Sequence, residues 1–546
     1  MHRLRFALVT LAVALVGLSA CEPADQGPRA QQDWTLRAEA SDYRETASYD
    51  EVIALLEQAA RTRPDLHLTY FGYSNEGRPL PLLVAGPVTD AEPASIWDTG
   101  LPVVYLQANI HAGEVAGKEA LLRLVRELAL GERASLLREL VLLIGPTYNA
   151  DGTERVDLRN RPRQYGPLGG MGTRTNAQGL DLNRDQMKLD SPEARSLAHL
   201  FNRFDPHVFV DLHTTNGTQH AYHLTYSPPL HPATPSAIDD LLREDLLPRV
   251  THEVEARYGW HFWHYGNAFE RDGVQGWYTF DHRPRFVTNY AGLRNRIGIL
   301  SEAYSYATFE DRILASELFV EGILRWVRDH PERVMALAEE EDARELPGSR
   351  IPVRGGFPEE APIHPILMGA VEEEAHPWTG ETILRRTDEV RERAMPAFVA
   401  FMGTEDEVVP AAYLIPRQIA PVVERLRAHG VRLEPADDPD AGGVVTAALT
   451  EGEWQRFMVQ DLVVAEQTFQ GRNEVTLQGA WEGASQAQIP TEEALSQWLL
   501  LPMDQPLARL AFLLLEPRAD DGFVNWGIMD DWLDSGAPFP ILRVLP

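Results

Sequence analysis

With 546 residues, the chain exceeds what one hydrophobic core usually serves, so more than one domain is expected. Apolar residues at 44% and charged residues at 24% belong to a globular protein and exclude disorder as the starting point. A formal net charge of -31 repels phosphate, which excludes nucleic acid as a partner and gives a polybasic membrane contact no support.

The opening MHRLRFALVTLAVALVGLSAC places Arg3 and Arg5 before an apolar run from Phe6 to Leu18 that is too short for a comfortable membrane span. It reads as an export signal over residues 1–21. Its end, Leu18-Ser19-Ala20-Cys21, resembles a bacterial lipobox, which makes Cys21 the lipidated first residue of the mature protein and anchors the chain to a cell-envelope membrane. Cys21 is the only cysteine, so a disulfide framework is excluded and no thiolate is available to a metal site. Residues 22–42 then read as a polar tether.

From residue 43 to 340, short apolar runs alternate with amphipathic helical ones, the pattern of an α/β domain. LPVVYLQANI predicts a buried strand, and Leu121, Leu124, Val125 and Leu128 follow it at helical spacing. LVLLIGP, HVFVDLH and RIGILSEAY predict further buried strands, and the helix FEDRILASELFVEGILRWVRDH closes the domain. Residues 341–362 are acidic and rich in Gly and Pro, which predicts a linker. Residues 363–546 form a smaller α+β or β-rich accessory domain, with AAYLIP, RQIAPVVERLRAHG and VRLEPA as strand, helix and strand.

Each strand of the larger domain delivers polar residues just past its last apolar one: His111 and Glu114, then Asn149 and Asp151, then His213, then Glu302. In open α/β sheets the ligand crevice lies outside the carboxyl ends of the strands, so these groups are placed to converge. His111, Glu114 and His213 make a His₂Glu set, the donor type of a catalytic zinc site, and one turn can present the His-x-x-Glu pair to one ion. Glu302, on another strand end, has the makings of a general base. The histidines of QHAYHLTY (His220, His223) and WHFWHYGN (His261, His264) have no carboxylate at matching spacing and read as packing or cleft-wall residues.

The ordered set His111-Ala112-Gly113-Glu114, Asn149-Ala150-Asp151-Gly152, Asp181-Leu182-Asn183-Arg184, Asp211-Leu212-His213 and Ser301-Glu302 resembles the motifs of the zinc carboxypeptidase family over residues 43 to 330. The resemblance implies a mixed, mostly parallel sheet flanked by helices, one zinc per chain, and hydrolysis of peptide bonds near a substrate's C-terminus. It further implies that His111, Glu114 and His213 bind zinc, that Glu302 is the base, and that Asn183 and Arg184 hold the terminal carboxylate. An arginine that polarises the scissile carbonyl is expected after Asp151, where RNRPRQ offers Arg161 and Arg163, with Arg163 favoured. A tyrosine is expected before Glu302, where Tyr278 and Tyr290 are candidates and Tyr290 is the nearer; Val287 is a candidate for the specificity pocket. The competing readings are a deacylase or amidase similar to the succinylglutamate desuccinylase and aspartoacylase group, and a binding protein built on a peptidase scaffold.

Overall fold

In chain order, the first strands are β1 (Leu66–Tyr73), β2 (Pro79–Ala85), β3 (Val103–Ala108), β4 (Val141–Gly145), β5 (Val208–Thr214), β6 (Leu224–Ser227), β7 (Phe262–His264), β8 (Asn267–Arg271), β9 (Val274–Tyr278) and β10 (Ile297–Ala303). Eight of them build one sheet in the order β1-β2-β4-β3-β5-β10-β6-β7. Its centre is parallel, with β4, β3, β5 and β10 running side by side. Every residue of β3, β4 and β5 is buried, as expected of strands covered on both faces. The computed structural model describes residues 33–215, 217–438, 452–485 and 488–546, so Cys21 and its signal lie outside the described residues.

Helix Ala116–Leu130 follows β3 and ends at Gly131, whose φ of 85° is the left-handed cap that glycine adopts without cost. A Cβ on Gly117 would sit 2.4 Å from Leu212 Cβ, so only glycine lets this helix close on β5. The opposite face packs through Tyr105, whose ring lies 5.5 Å from Phe209 and 6.4 Å from Phe201 on helix Pro192–Phe204. Helix Phe309–Asp329 is started by Thr308, whose hydroxyl accepts from Asp311 N–H. All the larger-domain strands and helices expected from the sequence are thus present.

The remaining strands are β11 (Arg350–Gly356), β12 (Ile363–Ala375), β13 (Thr382–Phe398), β14 (Met402–Val408), β15 (Ala412–Pro416), β16 (Glu434–Pro435), β17 (Glu453–Phe469), β18 (Arg472–Gly483), β19 (Trp498–Pro502) and β20 (Pro538–Leu545). Six form a sheet in the order β16-β19-β15-β20-β17-β18. This β-rich region is not set apart as expected. The stretch read as a linker, 341–362, contains β11, paired with β14. β13 joins β9 in a four-stranded sheet, with Phe398 stacked on Tyr278 at 4.5 Å. Residues 36–546 form one compact unit, in which a single hydrophobic core holds Tyr105, Phe201 and Tyr290 together with Val422, Leu426 and Leu510. Acidic, Gly- and Pro-rich composition marks a half-exposed edge strand as readily as a linker, which explains the difference. The tether also ends earlier than expected, because Ala38 is buried against Val115 and Phe309.

Polar contacts strengthen the join. Tyr290 hydroxyl meets His429 Nδ1 at 2.9 Å, and Arg425 Nε donates to Lys188 carbonyl at 2.6 Å. Asp190 takes Arg425 at 2.8 Å and Arg472 at 2.6 Å. A chain ended at Asp342 would expose this apolar face and orphan those buried groups, each costing about 1–3 kcal/mol. It is expected to show no cooperative thermal transition by circular dichroism, whereas a separable accessory domain would leave one.

Candidate metal centre and substrate cleft

β3, β5 and β10 end side by side, and Glu302 stands opposite His213 in the parallel register. Past β3 the chain turns at Asn109, at φ 67°, a conformation asparagine tolerates, and His111 and Glu114 follow on the turn. His111 Nδ1 lies 3.0 Å from Glu114 Oε1, and His213 Nδ1 lies 2.9 Å from Glu114 Oε2. One donor atom from each of the three residues falls within 4.8 Å of the others, the only such group among the described residues.

The other ring nitrogens are spoken for. His111 Nε2 donates to Asp181 Oδ1 at 3.0 Å, and His213 Nε2 donates to Asp211 Oδ2 at 2.6 Å. Both Nδ1 atoms point at the same spot beside Glu114, and with a metal there the Nε2–H donations to these carboxylates would set the tautomer that leaves Nδ1 free to ligate. Asp211 is itself held by Gln107 Nε2 at 3.0 Å, and Gln107 by the Tyr105 hydroxyl at 3.0 Å, so the orientation of His213 is set from inside the sheet. Two imidazole nitrogens and a carboxylate with no thiolate fit zinc in a catalytic site.

Glu302 Oε2 is shielded from solvent and has no hydrogen-bond partner among the described residues. Burial, with Glu114 adding to it against the pull of His213, raises the Glu302 carboxyl to about 8. Burial acts the same way on Glu114, but His111 and Arg161 outweigh it and hold that carboxyl well below its usual range. Burial would lower His213, yet Asp211 and Glu114 dominate and hold it well above.

A cleft of about 310 Å³ opens over these groups, lined also by Arg161, Arg174, Asn183, Arg184, Tyr265, Phe280 and Phe286. Asn183 and Arg184 both line it. Arg184 sits 3.8 Å over the Phe286 ring, and Asn183 Oδ1 accepts from Val287 N–H at 2.9 Å. Val287 itself is packed in the core, as is Tyr290, which points at His429 rather than the cleft. Tyr278 is stacked on Phe398 and is likewise absent from the cleft. The tyrosine on the cleft wall is Tyr265, just after β7.

Arg163 does not reach the cleft either; Arg161 does, with Nη2 2.6 Å from Glu114 Oε1 and 3.2 Å from Thr214 carbonyl. A second cleft arginine, Arg174, was not anticipated; it lies 2.9 Å from Asp181 and 3.5 Å from Glu114. Its signal in the sequence was its place seven residues before Asp181. Asn149 shapes this corner as well as its own turn, capping Gly152 N–H and donating to the carbonyls of Ile110 and Arg174. His220 packs against Tyr304 and Trp277, and His223 is stacked on Trp260, so these histidines are wall and core residues.

The far wall of the cleft is clamped by the C-terminal region. Arg285 donates from its backbone and Nε to Asp521 and from Nη2 to Glu474, and His282 Nε2 meets Asp520 at 2.7 Å. Phe280 and Phe286, which line the cleft, lie on this clamped segment.

Residues 52–244 match the family model for zinc carboxypeptidases. Carboxypeptidase 2 of Trichophyton tonsurans is 24% identical over 468 residues, covering 81% of this chain and 76% of the relative. Carboxypeptidase D of Homo sapiens is 35% identical over 165 residues, covering 26% of this chain and 12% of that protein. Among solved structures, a metallo-carboxypeptidase from Burkholderia cenocepacia aligns with a TM-score of 0.38 at 18% identity, covering 52% of this chain and 70% of that one. A metallo-carboxypeptidase from Pseudomonas aeruginosa, in complex with (2-guanidinoethylmercapto)succinic acid, aligns at 0.38 and 17% identity, covering 53% and 70%.

The electrostatics of the metal-free cleft give a signed expectation. His213 and Glu302 both bind protons more tightly folded than unfolded, so their stabilising contribution is complete below their ordinary values of 6.5 and 4.5 and is lost as pH rises through the raised ones. Chelator-stripped protein is expected to lose melting temperature as pH rises from about 4.5 to about 8 through Glu302, with His213 adding to the loss above 6.5. Zinc competes with the His213 proton, so the loaded protein should show less of the loss. A stripped protein that becomes more stable over that interval would contradict the assignment.

Proposed function

We propose that the chain, whose residues 52–244 match the zinc carboxypeptidase family model, is a metallocarboxypeptidase-type hydrolase that removes C-terminal residues from peptides, with zinc held by His111, Glu114 and His213. The observation that carries this reading is the pairing of a complete His₂Glu set with an adjacent carboxyl, Glu302, whose Oε2 is shielded and free of partners. A bound zinc supplies Lewis-acid polarisation and makes water more acidic near neutral pH. The chain's own groups do the rest.

Arg184, with Asn183 beside it, receives the substrate's terminal carboxylate; a guanidinium presents paired donors that match that group, and Phe286 holds its plane. Phe280, Phe286 and Leu300 surround the last side chain with apolar surface. Glu302 takes a proton from the attacking water and passes it to the departing amine. Arg174 stabilises the charge that develops on the carbonyl oxygen. It is preferred over Arg161 because its side chain is 38% exposed, against 13%, and it lies 3.5 Å from Glu114 where Arg161 lies at 2.6 Å.

Glu302→Gln is expected to lower kcat by about 10²- to 10⁴-fold while zinc content, read by mass spectrometry, stays at one per chain. Unchanged hydrolysis of every cleaved peptide with metal still bound would exclude Glu302 as the base. Arg174→Ala should cost about 10²- to 10³-fold, mostly in kcat, and Arg184→Ala should abolish the preference for a free over an amidated C-terminus.

Export and a lipid anchor on Cys21 are proposed from the signal and lipobox alone. Among the described residues, no helix is long and apolar enough to cross a membrane. In a bacterial host the full-length chain is expected in the membrane fraction and the Cys21→Ser variant out of it. Equal distribution of the two would end the anchor proposal.

A further inference from the structure

A second cavity of about 270 Å³ adjoins the cleft, and Arg161 lines both. It lies between the 158–171 loop and the tip of the β12–β13 hairpin, residues 376–383. Two of its groups are unspent. Gln164 is 6% exposed, yet its Oε1 has no hydrogen-bond partner among the described residues. Arg163 is an exposed cation whose guanidinium makes no ion pair among the described residues, in a protein whose net charge is -31.

Arg163 is also held in an uncommon backbone state. Its φ is 70°, a conformation costly for a residue with a long side chain, and its carbonyl accepts from Leu384 N–H of β13 at 2.9 Å. The hairpin thus fixes the backbone from which an unpaired guanidinium extends.

The place of this cavity along a substrate is set by a chain of contacts. Arg184 is 4.0 Å from Asp181; Asp181 holds His111 at 3.0 Å; His111 meets Glu114; and Glu114 meets Arg161 at 2.6 Å. Arg161 opens onto the second cavity. The second cavity thus meets the cleft at Arg161, beside the ligand Glu114, where it is open to the residues that precede the scissile bond of a peptide whose last carboxylate rests on Arg184.

We propose that the cavity is a subsite for residues N-terminal to the scissile bond, and that Arg163 selects an acidic side chain there while Gln164 Oε1 accepts from the substrate backbone. This rests on the carboxypeptidase reading above. The chemistry is a charge-assisted bond between guanidinium and carboxylate in a half-enclosed site.

The test uses free-ended hexapeptides that differ only by glutamate, glutamine or lysine at each position before the scissile bond. The zinc-loaded full chain is expected to cleave the glutamate peptide about tenfold faster in kcat/KM than the glutamine one at one position, through KM, with the advantage shrinking in high salt. Arg163→Asn, which suits the positive φ, should bring that ratio near one, and Arg163→Glu should favour lysine instead. No position with a glutamate preference in the parent, or the same preference in both variants, would overturn the proposal. Binding of the labelled peptides to zinc-loaded Glu302→Gln, followed by fluorescence anisotropy, separates the two readings. If the parent cleaves nothing but this variant binds glutamate over glutamine through Arg163, the hydrolase reading fails and the subsite stands. If the peptides are cleaved but bind without regard to charge, the subsite fails alone.

Discussion

The cleft depends on keeping several carboxylates buried at the carboxyl ends of three parallel strands. Glu114, Asp181 and Asp211 are each under a tenth exposed. Burying such a group without partners costs several kcal/mol, so each is met by a histidine, an arginine or an amide. Asp211 takes Gln107 and His213, Asp181 takes His111 and Arg174, and Glu114 takes both histidines and Arg161. Glu302 alone accepts no bond at Oε2, and burial answers by holding its proton more tightly. Two neighbouring carboxyls are thereby driven in opposite directions, one towards constant ionisation and one towards holding its proton, the split that the proposed ligand and base roles require.

The parts legible in the sequence were those governed by local rules. Buried parallel strands announce themselves as apolar runs, and the residues just past each run fall at one rim, so His111, Glu114, His213 and Glu302 could be grouped without coordinates. Asn183 and Arg184 were placed by an ordered motif. Arg163, Tyr278 and Tyr290 went astray because a loop without periodicity carries no signal for direction. In RNRPRQ the two arginines are alike in composition, and only the fold turns Arg161 inward and Arg163 towards the hairpin. Arg174 and Tyr265 were missed for the same reason.

The domain boundary was illegible for a different reason. Composition reports whether a stretch is polar, not whether its backbone is paired, and β11 is an edge strand with a polar sequence. The deeper signal lay in the helices beyond it. Helix Ala420–His429 packs on helix Pro192–Phe204, so the apolar face of the first half is completed only by the second. Lys118 and Lys188, the two lysines of the chain, are both fully buried, Lys188 beside Asp185 and Asp190 at the same join.

The clamp on the far wall has a temporal side. Chains are made from the N-terminus, and His111, Glu114, His213 and Glu302 all emerge well before Glu474, Asp520 and Asp521. Until those acids are synthesised, Arg285 and His282 lack these partners, and the segment bearing Phe280 and Phe286 keeps Asn289, whose side chain donates to the carbonyls of Asp281 and Arg283. A partly translated chain therefore carries His111, Glu114 and His213 without this clamp. Completion of the polypeptide is itself the event that closes the clamp on the cleft's far wall.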